Sequence, residues 1–336
     1  VGLIDATAFT KHIVKGPGAT NFLDWFTCNK LPKIGRINLT YALTDHGTTR
    51  TEYTIVRQGG DSYYLVSAGA WSSYDGDYLR KAAEDKMEEF GYIEIQDVTS
   101  QWGVFAIAGP KSRDLLKSLV NEADVESALS NKRFPWLSSK TIEIGMCPVN
   151  AIRVAYTGEL GWELHHPIEM QNYLWDRLLL AGPEYGLKLV GARAQNWLRQ
   201  EKSYRAFGTE LGRDATPLEA DLSRFIDLDK EFLGKERMEK TGVRAKCVTL
   251  LIDGPNHADP WGREALYLEN GTRVGRLTSG GYSVVFNKSI GMGYIKPDLA
   301  QEGQKLKVKM LNSLWDAEVT CDSPYDPKNE AIRKDG

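Results

Sequence analysis

Three stretches of this 336-residue chain hold side chains whose types and spacing suit proton transfer or recognition of a polar ring. The first is AYTGELGWELHH, residues 155–166. Gly158 permits a turn, so Tyr156 ends one strand and Glu163 lies early in the next. The two can face each other across that hairpin. A carboxylate so placed accepts two hydrogen bonds from the planar N–H/NH2 edge of a heterocycle. The second is LTDHGTTRTEYTIVR, residues 43–57. Asp45-His46-Gly47 forms a turn, and Glu52 opens an otherwise apolar strand in which Glu52, Thr54 and Val56 share one face. If that face is core, Glu52 is buried with a perturbed pKa, which marks a candidate acid–base residue. The third begins LRQEKSYRAFG at Leu198, where Leu198, Glu201 and Arg205 fall on one helical face and Glu201–Arg205 reads as an i,i+4 pair. Spacing alone leaves ordinary alternatives open: a surface strand for Glu163, an exposed edge strand for Glu52 and a plain helix for the third stretch.

The elements that must position these residues come from a repeat. HIVKGPGATNFLDWF (residues 12–26) and VFAIAGPKSRDLLKSL (residues 104–119) are each an apolar run, a Gly-Pro turn and an amphipathic helix. Pro17 and Pro110 sit where a helix starts and a missing N–H does least harm. Each unit is followed by a hairpin, around Gly59-Gly60-Asp61 and Thr157-Gly158-Glu159, and then by a further helix-like stretch. Two similar α+β units are therefore expected. From about Cys247 the chain becomes β-rich: VTLLID, EALYLE, TRVGRLTSG, SIGMGYIK, QKLKVKML and WDAEVTC read as short strands of a small barrel or sandwich. Asn270-Gly271 signals a hairpin between two of them.

Composition limits the function classes. Net charge is −3 with both signs interspersed, which gives no electrostatic footprint for nucleic acid. No apolar run approaches the roughly 20 residues that span a bilayer, and VGLID at the start is no signal peptide. The four cysteines are far apart and form no CxxC, so they read as inert thiols. His165 and His166, adjacent in a strand, point to opposite faces and chelate poorly, and no metal is expected. Gly16-Pro17-Gly18 has neither dinucleotide-fold nor Walker spacing, so no FAD or NAD site is expected within the chain.

AYTGELGWEL, LRQEKSYRAFG with TPLEADL, and FLGKERM together resemble the signatures of the glycine-cleavage T-protein (aminomethyltransferase) superfamily. VGLIDATAFTKHIVKGPGA and SPYDPKNEAIR resemble the folate-binding C-terminal half of dimethylglycine dehydrogenase/oxidase and of sarcosine dehydrogenase. The resemblance runs over nearly the whole chain. It implies an α+β fold shaped as a three-lobed clover around a folate channel, with two related α+β lobes and a C-terminal β-barrel. The lobe boundaries expected are 1–45 with 141–240, then 46–140, then 241–336. The resemblance places the pterin-binding glutamate at Glu163, the hairpin tyrosine at Tyr156, further folate contacts at Thr54, Leu164 and His165, and the essential carboxylate at Glu52. Glu52 stands where T-proteins carry aspartate, which favours the dimethylglycine dehydrogenase branch. Thr48-Thr49 replaces a usual Gly-Gly, and Gln200 a frequent leucine.

The chemistry implied is tetrahydrofolate-dependent one-carbon transfer: the carbon of an oxidised N-methyl group, of dimethylglycine or sarcosine type, is captured as 5,10-methylenetetrahydrofolate. The implied partners are folate, a small one-carbon donor derived from a methylated amine, and a flavin dehydrogenase domain or subunit. The late start of the chain, compared with complete T-proteins, leaves room for an N-terminal segment or a whole flavin domain ahead of it. Two rivals stand beside this reading. One is a free-standing demethylase that makes 5-methyltetrahydrofolate; the other is a non-catalytic regulatory relative. The implied location is the cytoplasm of a bacterium or the mitochondrial matrix of a eukaryote.

Overall fold

A computed structural model describes residues 1–255 and 258–334. In chain order the first elements are β1 (Gly2–Asp5), β2 (Thr10–Lys15), α1 (Ala19–Phe26), β3 (Ile37–Leu43), β4 (Thr49–Gly59), β5 (Ser62–Ser67), α2 (Ser72–Glu84), α3 (Met87–Phe90) and β6 (Glu94–Asp97). Five of these strands form one sheet in the order β3-β4-β5-β2-β6. Alternation sorts its side chains. Tyr53 and Ile55 point to the outer face, where they bury Phe22, Leu23 and Phe26 of α1 and Leu79 of α2. The turn into α1 needs glycine: Gly16 has φ +119°, and a Cβ there would lie 2.7 Å from the Tyr92 carbonyl oxygen.

The second half of the repeat comprises β7 (Trp102–Ala108), α4 (Ser112–Lys117), α5 (Val125–Ala128), β8 (Ser139–Ile144), β9 (Cys147–Ile152), β10 (Gly161–Pro167), α6 (Gln171–Ala181) and β11 (Lys188–Leu189). With β1 these strands make a six-stranded sheet in the order β11-β1-β7-β10-β9-β8. Its outer face buries Leu115, Leu116, Leu174 and Leu178 against Phe105, Ile107, Trp162 and Leu164. The inner faces of the two sheets meet through Ile37, Val56, Tyr64 and Val66 from the first and Ile152 from the second.

The sheets divide the chain differently from the boundaries 1–45, 46–140 and 141–240 read from the sequence. β3 pairs with β4 through a short turn, so residues 37–43 belong with 49–97. β7 pairs with β10, so residues 102–108 belong with 139–167. The first boundary cuts a hairpin whose strands are joined by a short turn, and the second separates β7 from its ladder partner β10, more distant in sequence.

A long connection carries α7 (Ala192–Glu201) and α8 (Lys235–Thr241) to β12 (Lys246–Ile252), β13 (Ala265–Tyr267), β14 (Arg273–Ser283), β15 (Lys288–Ile295), β16 (Lys305–Met310) and β17 (Ser313–Val319). These close into a barrel in the order β12-β15-β14-β13-β16-β17. All six apolar runs expected as strands are in it, and Gly271, at φ +82°, turns β13 into β14. The chain then returns across the molecule to α9 (Glu330–Arg333), where Arg333 lies 4.8 Å over the ring of Trp136.

Candidate active site

Glu52 lies on β4 opposite Tyr41 of β3. Its neighbours Thr51 and Tyr53 are only 1% and 0% exposed, while Glu52 itself keeps some accessible surface. That surface opens toward the space between the two sheets, because Glu52 shares the inner face with Thr54, Val56 and, across the β4–β5 ladder, Tyr64 and Val66. Burial lifts the Glu52 carboxyl to about 7, with a hydrogen bond from Tyr41 and the charge of Arg199 offsetting part of the rise. A carboxyl in that range exchanges protons readily near neutral pH.

The opposite sheet supplies the second carboxylate. β10 alternates, so Glu163 and His165 point inward while Leu164 points into the outer core. His165 is fully buried, with Nδ1 2.9 Å from the Tyr64 hydroxyl and Nε2 3.2 Å from Glu163 Oε2. This chain is satisfied if Tyr64 O–H donates to Nδ1 and Nε2–H donates to the carboxylate. One Glu163 oxygen is thereby fixed by the protein. Oε1 has no partner among the described residues and stays free to accept. Tyr64 joins the two sheets at this point, since it stands on the inner face that carries Glu52 and Thr54. The Thr54 hydroxyl is likewise half-buried and without a partner among the described residues.

Two expected placements change. Leu164 is 0% exposed within the outer core, so only its main chain borders the inter-sheet space. Tyr156 does not end a strand: β9 stops at Ile152, and Tyr156 sits in the turn that follows. The strand ends because Arg153 turns inward to donate to the carbonyls of Phe134 and Ile332, at 2.6 and 3.3 Å. Tyr156 instead stacks on Tyr204, 5.9 Å between centroids, and donates to the Arg205 carbonyl at 2.8 Å. Burial raises its hydroxyl pKa well above the ordinary value, with Arg199 and Glu52 close enough to bias it electrostatically. It is therefore held by the segment that follows α7 rather than paired across a hairpin with Glu163. Gly158, at φ +80°, lets Lys202 pack against this turn.

Glu201 and Arg205 do not pair either. α7 stops at Glu201, and Ser203 takes a left-handed φ of 55°. Glu201 then accepts from Ser283, while Arg205 reaches Asp322 at 2.7 Å. His165 and His166 do point to opposite faces, His166 toward Gln171 at 2.8 Å.

One pair escaped the sequence reading. Arg199, 1% exposed, donates to Glu210 at 2.9 Å and to Ser279 at 2.7 Å. Glu210 also accepts from the Ala206 N–H and from the hydroxyls of Thr209 and Thr278. Burial alone would raise the Glu210 pKa, but Arg199 and these donors outweigh it and hold the group ionised. A buried arginine signals that a carboxylate must be near, yet nothing local says which; the partner lies eleven residues on, in a loop. Tyr64 was legible in principle, because the β4–β5 hairpin register puts it opposite Val56.

Known proteins resemble this chain in sequence and in fold. Residues 1–230 match the family described as the GCVT N-terminal domain, and residues 246–326 the glycine cleavage T-protein C-terminal barrel domain. The chain is 35% identical over 344 residues to mitochondrial dimethylglycine dehydrogenase of Mus musculus, covering all of this chain and 38% of that protein. It is 30% identical over 366 residues to a probable aminomethyltransferase of Thermococcus gammatolerans, covering 98% of this chain and 87% of the relative. The glycine cleavage system aminomethyltransferase T of Bartonella henselae superposes with a TM-score of 0.83 at 22% identity, over 99% of this chain and 87% of that one, which shows the shared fold. The chain thus spans somewhat over a third of the dimethylglycine dehydrogenase it matches and most of the aminomethyltransferase. With both of its domains matched in order, it belongs to the glycine cleavage T-protein (aminomethyltransferase) family.

Proposed function

We propose that this chain holds tetrahydrofolate between its two sheets and uses it to capture the carbon of an oxidised N-methyl group as 5,10-methylenetetrahydrofolate. The observation that carries the reading is the pair of carboxylates facing one inter-sheet space from opposite sides. Glu163 is a fixed acceptor with one free oxygen, and Glu52 is a carboxyl near neutrality.

The residues fit a reduced pterin. Glu163 Oε1, left without a protein donor, suits the N3–H and 2-amino edge, with His165 and Tyr64 holding the carboxylate in place. The Thr54 hydroxyl and the Leu164 main chain would complete that wall. Tyr156 would close the side near Glu52. When bound, tetrahydrofolate supplies two amines, N5 and N10, that share one carbon at the oxidation level of formaldehyde. Closing such a bridge releases protons, and Glu52 in its ionised form accepts one at its carboxylate oxygen. Its negative charge also favours cationic character at the carbon being transferred. Arg199, held by Glu210, keeps a fixed positive charge close to Glu52, so the carboxyl is neither fully protonated nor locked into an ion pair.

The relatives support a reading of the donor side. Similarity to dimethylglycine dehydrogenase across the whole chain favours a donor generated by oxidation of a methylated amino acid, in a flavin-bearing domain or subunit. The test supplies tetrahydrofolate together with dimethylglycine and a flavoenzyme that oxidises it, and identifies the folate product by mass spectrometry. Methylenetetrahydrofolate formed faster than without the protein, and no faster than that background with Glu52→Gln, is expected. A 5-methyl product would mean direct methyl transfer and contradict the proposal.

A further inference from the structure

A cleft of about 700 Å3 opens where the first sheet and its helix, the long connection and the barrel meet. Trp71 and Tyr74 enter from the start of α2, the segment from Phe207 to Ala215 from the long connection, and Arg276 and Thr278 from the barrel. Two links run from the cleft toward Glu52. Arg50 on its wall stands two residues before Glu52 on β4, and Glu210 on its floor is bound to Arg199, which biases Glu52.

Its charges sort into used and unused. Arg50 is committed to Asp75 at 3.1 Å, Arg244 to Glu219 at 2.7 Å, and Glu210 to Arg199. Arg213 and Arg276 have no hydrogen-bond or ion-pair partner among the described residues, and both are exposed on the cleft wall. The cleft is also lined by aromatics: Trp71 meets Phe207 edge-on at 5.7 Å and Tyr74 at 6.2 Å, and Trp71 and Tyr74 are 39% and 61% exposed. Free guanidinium groups next to an aromatic wall suit a ligand with a flat or apolar body and a carboxylate end.

We infer that this cleft is a carboxylate-recognition site, with Arg213 and Arg276 taking the acidic end of a substrate whose reacting end lies at Glu52. The inference rests on the folate reading for the identity of that substrate. Two sources present the required chemistry. One is the aryl-glutamate tail of the folate; the other is the carboxylate of a methylated amino-acid donor.

The test is calorimetric titration of the full chain and of an Arg213→Ala/Arg276→Ala variant, both positions being exposed and tolerant of change. The probes are tetrahydrofolate, 6-methyltetrahydropterin, which lacks the tail, and dimethylglycine. Loss of about fivefold in tetrahydrofolate affinity with the tailless pterin unaffected assigns the cleft to the tail. A comparable loss for dimethylglycine with tetrahydrofolate unaffected assigns it to the donor. In either case higher salt should weaken the wild type more than the variant. Equal affinities of wild type and variant for all three probes would overturn the inference. If the wild type binds neither tetrahydrofolate nor 6-methyltetrahydropterin, the folate reading fails separately. The cleft then stands or falls on binding of p-aminobenzoylglutamate or dimethylglycine and its loss in the variant.

Discussion

Replacing Glu52 by glutamine should make the protein more stable and less active at the same pH. A folded-state carboxyl raised to about 7 from an ordinary 4.5 binds its proton more tightly than the unfolded chain does. Its contribution is therefore favourable below about pH 4.5 and is lost as the pH rises to 7. Lifting the group that far would cost about 3 kcal/mol of stability once it is ionised. Glu52 is half-buried rather than sealed off, so screening reduces this to about 1–2 kcal/mol. Glutamine removes the titration while keeping an acceptor for Tyr41. The variant should melt about 2 °C higher than the wild type at pH 8, with the gap shrinking as the pH falls toward 5. Over the same range the wild-type transfer rate should fall as the pH drops through about 7, because the ionised form accepts the proton. The variant should lose that dependence and run about 10²- to 10⁴-fold slower. Thermal melts at several pH values and a pH–rate profile measure both. A variant that is no more stable than wild type at pH 8, or that keeps the acidic limb, would refute the reasoning.

Other positions separate the roles of neighbouring residues. Tyr64→Phe removes the hydroxyl that fixes His165, and folate affinity should drop about three- to tenfold with stability little changed, as titration would show. Leu164→Ala should do the reverse: a loss of about 2–5 kcal/mol in urea unfolding from the emptied outer core, with folate affinity close to wild type. A large loss of affinity there would place the Leu164 side chain in the site. Glu210→Ala strands the buried Arg199 and should destabilise the protein by about 3–5 kcal/mol, whereas Glu210→Gln, which keeps the hydroxyl and Ala206 contacts, should cost less.

Most of the fold was legible because its signals are local. The six barrel strands and the Asn270-Gly271 hairpin follow from alternation and turn chemistry, and the paired Gly-Pro turns reveal two related halves. The inward face of β4 was also legible, since Glu52, Thr54 and Val56 differ from Tyr53 and Ile55 by strand parity alone. What escaped depends on distant partners. Tyr156 leaves its strand because Arg153 is drawn to carbonyls at positions 134 and 332. Helix α7 ends before Arg205 because Ser203 turns left-handed, with its hydroxyl bonded to Thr249 of the barrel. The Arg199–Glu210 pair and the β7–β10 pairing were hidden for the same reason: each joins parts of the chain that no short window displays.

The central claim is that tetrahydrofolate binds between the sheets with Glu163 as its anchor. The most direct measurement is titration calorimetry of tetrahydrofolate into the purified chain and into Glu163→Ala. The account predicts one saturable site in the wild type and loss of about 100-fold or more in affinity in the variant, because a charge-assisted double hydrogen bond is removed. Equal binding by the two proteins would contradict it.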